Sequence, residues 1–356
     1  MQPSRRTEFG LLPARVFYLY RPPAIAGVVI LMANFFSRRL FDAQTKTIVY
    51  SGAILAVSSI ISKLLGIFRD WLLAEKFGAA DLDIYFAAFR VPDFIYNILI
   101  YGGIVAAFLP LFSEHHKRAE REAWRFANNT LNVFLIFLTA LGVILFIFAP
   151  TVVSWVAPGF SGEKIKTTVS LTRLMFLSPI IFGAASIFSG ILQYFQRFLT
   201  YSLAPILYNL GIICGIVLFS AHLGVTSAAI GVVLGALLYL AIQIPAAVRC
   251  GFRYQPIVRF NEPSLKQTIR LMVPRTVGVA ADQFYQLITT AVASTLAVGS
   301  VAVFYLASSL ESLPVSIIGI SWALAAFPLF SKYAADNDID GLTKKFSSTF
   351  AQITFI

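Results

Sequence analysis

Apolar positions in this chain come in long runs parted by short polar breaks. They follow neither the two-residue period of half-buried strands nor the single stripe of a surface helix. Crossing a bilayer core takes roughly 20 apolar residues per helix, at ~1.5 Å of rise each. Runs of that length predict spans near 48–77, 83–112, 127–156, 169–193, 200–220, 224–248, 268–297 and 301–330, with a ninth beginning near Phe346. The apolar stretch 24–35 is too short for a span, and Met32 precedes an amphipathic segment. Either Met32 is the true start, or residues 1–46 form a basic segment lying along the membrane surface.

Composition sharpens this picture. The chain is 58% hydrophobic and 13% charged, with mean hydropathy +0.78. A soluble domain carries about a quarter charged residues. This chain has too little polar surface to coat a water-soluble globule, so the expected class is an all-α integral membrane protein. The net charge of +11 would suit nucleic acid in a soluble protein, but its distribution follows the positive-inside rule. With the N-terminus inside, twenty Lys and Arg fall in cytoplasmic segments and only Lys76, Lys164 and Lys166 in outer loops. No nucleic-acid partner is expected. The basic loops, with Lys117, Arg118, Arg121 and Arg125, should face anionic membrane lipids.

The end of the second span, Ala106-Ala-Phe-Leu-Pro-Leu-Phe-Ser113, resembles the end of the eighth, Ala325-Ala-Phe-Pro-Leu-Phe-Ser331. The two copies lie six spans apart and keep the same orientation, which reads as a parallel repeat. Two Pro-terminated helices are the plainer alternative. The repeat divides the chain into a six-helix lobe (47–248), a basic cytoplasmic linker (249–267) and a partial second lobe (268–356). That second lobe stops after barely two helices, so the chain reads as C-terminally truncated.

Charges inside the spans carry the functional expectation, because each costs about 2.5–3.5 kcal/mol at the bilayer centre without a partner or water. Lys63, Arg69 and Asp70 lie in the first span, and Asp83, Arg90 and Asp93 in the second. Arg69 and Arg90 sit nine residues either side of the Gly78–Asp81 turn, roughly 13 Å deep at helical rise. Two guanidinium groups at matched depth suit a phosphate clamp, since each binds oxygens bidentately and keeps its charge. Local neutralisation, Arg90 with Asp93 and Lys63 with Asp70, is the alternative. Arg275, Asp282 and Gln286 share a face of the seventh span, where Arg275 can simply snorkel to the surface. Glu311 lies near mid-depth of the eighth span and could carry a coupling proton or pair with the other lobe. His115, His116 and His222 have no metal-ligand spacing and are expected to be solvated. The sequence offers no metal site, cofactor, phosphate-cradling glycine loop or nucleophile–base pair, so no enzyme is expected.

The stretch Ser62-Lys-Leu-Leu-Gly-Ile-Phe-Arg-Asp70, followed by Phe77-Gly-Ala79, Asp83 and Phe89-Arg-Val-Pro92, resembles the MurJ/MviN family of lipid II flippases, within the multidrug/oligosaccharidyl-lipid/polysaccharide (MOP) exporter superfamily. Pro274-Arg275-Thr-Val-Gly278 also fits, and the resemblance covers roughly 45–356. It implies a two-lobed MOP-type transporter in the bacterial cytoplasmic membrane. Such a transporter carries lipid II, or a related undecaprenyl-pyrophosphate-linked glycan, to the outer leaflet by alternating access, possible partners being cell-wall synthesis proteins. By position, Arg69 and Asp70 match the family's Arg-Asp pair, Asp83 its acid in the second helix, and Lys63 a usual arginine. Arg69, Arg90 and Lys63 would bind the pyrophosphate, with Asp70, Asp83 and Asp93 as charge partners of the arginines. Tyr96 and Ser309 stand where the family usually has arginines, and Tyr101 where it has an acid. Those departures keep two other readings open: an exporter of another polyprenyl-linked glycan, and a non-transporting scaffold of cell-wall synthesis.

Overall fold

A computed structural model describes residues 48–314 and 338–354. The readings of 1–46, of Met32 and of the Ala325–Ser331 copy of the repeat lie outside these residues. Among the described residues the chain forms twelve α-helices and one π-helical segment. The first, fifth, sixth and seventh spans are single helices: α1 (Ile48–Lys76), α8 (Phe198–Leu223), α9 (Thr226–Arg249) and α10 (Pro263–Ser294). The second is broken into α2 (Ala79–Tyr96), a π-helical segment (Asn97–Ile104) and α3 (Val105–Arg118). Pro92 and Pro110 remove backbone donors, and Gly103 leaves the helical region with an extended φ of 175°. The third comprises α4 (Glu120–Ile147) and α5 (Ala149–Val156), parted at Phe148 just before Pro150. The fourth comprises α6 (Gly162–Met175) and α7 (Leu177–Tyr194). The eighth is described as α11 (Ser300–Pro314), and α12 (Ile339–Thr354) contains the predicted ninth start.

Helices begin several residues before the apolar runs at Ala79, Glu120, Gly162 and Pro263. Their polar first turns are helical although hydropathy does not mark them. Among the described residues, four helical runs are long and apolar enough to cross a membrane: Glu120–Ile147, Gly162–Tyr194, Phe198–Leu223 and Thr226–Arg249. The other expected spans are also helical among the described residues, but they carry the internal charges or are interrupted. Large apolar side chains such as Leu64, Trp71, Ile147, Trp155 and Leu218 point outward, as a lipid-facing surface requires.

Packing gathers around α2 and α3. At the Asp83 end, Leu73 and Phe86 pack with Met175, Ile216 and Val301. At the His115 end, Phe108 stacks on Phe126 at 5.4 Å, and Phe112 meets Trp124 edge-on at 5.4 Å. Helices α8 and α9 are in backbone contact: a Cβ on Gly211 would fall 2.3 Å from Gly235 Cα, and one on Gly215 2.4 Å from Gly231 Cα. Such small-residue seams let membrane helices approach closely enough for dispersion to hold them. Gly235→Leu should therefore cost about 3 kcal/mol or more through overpacking. A lowered thermal midpoint of the purified chain checks this; an unchanged midpoint would count against the seam.

The link from α9 to α10 is strapped along α4 by asparagines. Asn128 donates to Arg253 O and accepts from Gln255 N (3.0 and 2.8 Å). Asn129 donates to Arg259 O and accepts from Arg259 N (3.1 and 2.6 Å), and also donates to Glu262 at 2.8 Å. Asn132 donates to the carbonyls of Gln255 and Ile257 (2.9 and 3.0 Å). A side-chain amide matches a peptide group donor for acceptor, so one helix face satisfies an irregular backbone. Asn129→Ala should cost about 2–3 kcal/mol by orphaning these groups. Faster proteolysis within 253–262 checks it, and unchanged cleavage would oppose it.

Candidate substrate site

Arg69 and Asp70 are consecutive in α1, yet their side chains meet. Arg69 Nε and Nη2 both donate to Asp70 Oδ1, at 2.9 and 2.7 Å. Nη1 donates to Asn209 Oδ1 on α8 at 3.1 Å. The Asn209 amide in turn donates to Ser62 O and Pro205 O, both at 3.2 Å, which fixes its oxygen toward the arginine. The other Asp70 oxygen accepts from the Ser309 hydroxyl of α11 at 3.0 Å. Asp70 is thus held by Arg69 and Ser309. Lys63 sits half-buried on α1.

Arg90 is 5% exposed and reaches α10, where Nε donates to Thr290 Oγ1 at 3.1 Å. Its Nη1 lies 4.0 Å from Asp93 Oδ2, and its guanidinium 5.8 Å from the Tyr305 ring. The two arginines of the expected clamp therefore have different settings. Arg69 lines a cavity of about 290 Å³ with Asp93, Tyr96, Phe182, Tyr208 and Tyr305, whereas Arg90 lies behind Asp93 and Tyr305. A larger groove of about 460 Å³ between α4 and α10 is apolar apart from Thr276, and has nothing to fix a charged headgroup.

Asp83 departs from expectation. It pairs with no arginine: its carboxylate, 2% exposed, accepts from Lys164 Nζ at 2.9 Å and from the backbone N–H groups of Gly299 (2.8 Å) and Ala302 (3.0 Å). The last two lie at the α11 N-terminus, where a carboxylate satisfies orphan donors and meets the positive end of the helix dipole. Nearby, Gly159 N–H donates to Ser294 Oγ at 3.1 Å. At the opposite end, His115 Nε2 lies 2.8 Å from Ser264 Oγ, and His116 Nδ1 lies 3.1 Å from Tyr194 Oη. The expectation of solvated histidines therefore fails for these two: both are half-buried between helices. Helices α10 and α11 are thus tied to the first six spans at Ser264, at Ser294 and at the α11 N-terminus.

Arg275, Asp282 and Glu311 are exposed and apart from the cavity lining. Asp282 accepts from Gln283 at 3.2 Å, and Gln283 accepts from Asn97 at 3.4 Å. Sequence reasoning missed Lys164, Asn209, Thr290 and the asparagine strap. The signal for two of these was present, as Asn209 and the cluster Asn128, Asn129, Asn132 are uncharged polar groups inside apolar spans.

The site offers a guanidinium with an internal counter-ion, aromatic walls, and no reactive nucleophile–base pair among its described residues. Comparisons with known proteins place the chain in a family. The family model described as lipid II flippase MurJ matches residues 73–356. A probable lipid II flippase MurJ of Buchnera aphidicola subsp. Schizaphis graminum is 29% identical over 287 residues, 79% of this chain and 56% of the relative. One from Vibrio cholerae is 28% identical over 327 residues, 88% of this chain and 62% of the relative. The chain thus spans little more than half the length of these relatives. A solved lipid II flippase MurJ in an inward closed conformation superposes with TM-score 0.70 at 24% identity, over 83% of this chain and 62% of that one. A MOP-superfamily transporter from Pyrococcus furiosus gives TM-score 0.60 at 18% identity, over 87% and 70%. The fold is that of MOP transporters, and the chain belongs to the family of lipid II flippase MurJ.

Proposed function

We propose that this chain moves a lipid-linked peptidoglycan precursor, lipid II, across the bacterial cytoplasmic membrane by alternating access. The observation that carries the reading is Arg69: a cavity-lining guanidinium whose partners, Asp70 and Asn209, are groups that an incoming pyrophosphate can replace. Arg69 binds the phosphate oxygens and Arg90 adds charge from behind Tyr305. The Asp83–Lys164–α11 latch closes the outer side, and the His115–Ser264 contact closes the cytoplasmic side. Spans one to six form one lobe, and α10 onward begins the second. Rocking of the lobes breaks one latch at a time, while the lipid tail stays in the bilayer. The work is transport, without bond-making. The N-terminus faces the cytoplasm, the basic loops meet anionic lipids, and cell-wall synthesis proteins are the natural neighbours.

The test is headgroup translocation. In proteoliposomes the chain should move fluorescent lipid II between leaflets faster than empty vesicles do, and equal rates would refute the proposal. A second reading, transport of another polyprenyl-pyrophosphate glycan, is favoured by Tyr96 and Ser309, because Ser309 holds Asp70 without adding positive charge. Preferential movement of a different glycan would select it.

A further inference from the structure

The cavity beside Arg69 is walled mainly by rings. Phe182 stands at its centre, with Tyr208 and Tyr239 edge-on to it at 5.2 Å each and Tyr96 tilted at 4.7 Å. These side chains come from α2, α7, α8 and α9, so the wall is built by four helices of the first six spans. From α11, Tyr305 faces the same space, stacked on buried Phe86 at 3.9 Å. Among the described residues, the Tyr208 and Tyr305 hydroxyls have no hydrogen-bond partner. The Asp93 carboxylate lies at the edge of this wall, a quarter exposed, with Arg90 behind it at 4.0 Å.

Ring faces, tyrosine hydroxyls and one carboxylate suit a polar, uncharged, disc-shaped ligand. A pyranose fits that description: its axial C–H face lies on an aromatic ring, and its hydroxyls pair with tyrosine oxygens and a carboxylate. A phosphate alone would leave the ring faces and the carboxylate unused. The volume, about 290 Å³, is at the small end of ligand sites and suits one ring rather than a long glycan. We infer that the tyrosine wall is a sugar subsite, holding the first hexose unit of a glycosyl pyrophosphate while Arg69 holds the phosphate. This rests on the reading of Arg69 as the pyrophosphate ligand. It adds that specificity for the glycan, as distinct from anion affinity, resides in Tyr208, Tyr239 and Tyr305.

The experiment compares two probes on the full chain: undecaprenyl pyrophosphate, and the same carrier bearing one N-acetylhexosamine. The intact chain should bind the sugar-bearing lipid about tenfold more tightly. Tyr208→Phe with Tyr305→Phe removes only two hydroxyls, keeps the packing, and should erase most of that preference, since two hydrogen bonds are together worth about a factor of ten. Tyr239→Leu, which removes a ring, should also reduce the preference. Binding of bare undecaprenyl pyrophosphate should stay within about twofold in both variants. No preference in the intact chain, or equal weakening of both probes in the variants, overturns the subsite. Loss of binding for both probes in the intact chain would overturn the Arg69 reading as well, so the two failures are distinguishable.

Discussion

Replacing Arg69 by glutamate should abolish lipid II movement, lowering the rate at least about a hundredfold, while the chain still inserts and purifies normally. The guanidinium makes charge-assisted bonds to Asp70 and Asn209 at the cavity wall. A bidentate arginine–phosphate contact is worth about 3 kcal/mol, more than a hundredfold in affinity. Charge reversal removes that contact and places a second carboxylate beside Asp70, so the cavity repels a pyrophosphate. Insertion should survive because α1 keeps its apolar surface and its end near Leu72 and Leu73 stays packed. Arg69→Lys separates charge from shape: it keeps the charge but loses the fork, and should retain part of the rate. Normal movement by the glutamate variant would remove Arg69 from the site.

Asp83→Ala should loosen the α11 N-terminus that its carboxylate holds. The buried carboxylate joins α2 to Lys164 of α6 and to two backbone donors of α11. Its loss strands an ammonium and two N–H groups, a cost of about 3–5 kcal/mol for a broken buried pair. That is enough to shift a closed arrangement toward one in which water reaches the α11 N-terminus. With Cys214 and Cys250 replaced by serine, Ala302→Cys, at a position 3% exposed, is a suitable reporter. An impermeant thiol reagent applied outside should label it at least about tenfold faster in the Asp83→Ala background. Equal labelling would mean that the carboxylate does not hold this end shut. Lys164→Ala should give a smaller increase, since both backbone donors keep their acceptor.

Much of the fold was legible as hydropathy, because a bilayer demands long apolar runs whose backbone polar groups are satisfied internally. The broken spans were not, since a helix, a π-helical segment and a second helix share one apolar run around Gly103. Arg69 with Asp70 was legible because both charges sit in one helix. The partner of Asp83 was not: Gly299 is 216 residues away, and a backbone N–H leaves no mark in the sequence. The position of Arg90 along its span does not give its direction, and packing of α10 against α2 turns it to Thr290. The tyrosine wall escaped notice because aromatic residues inside spans look like lipid-facing surface until four helices bring them together.

The most direct measurement is equilibrium binding of lipid II to the purified chain, set against the same lipid chain ending in an alcohol without phosphate. The account predicts one saturable site, with the pyrophosphate-bearing lipid bound at least about a hundredfold more tightly and its advantage lost in Arg69→Glu. Equal binding of both lipids, or an advantage that survives the charge reversal, would contradict it.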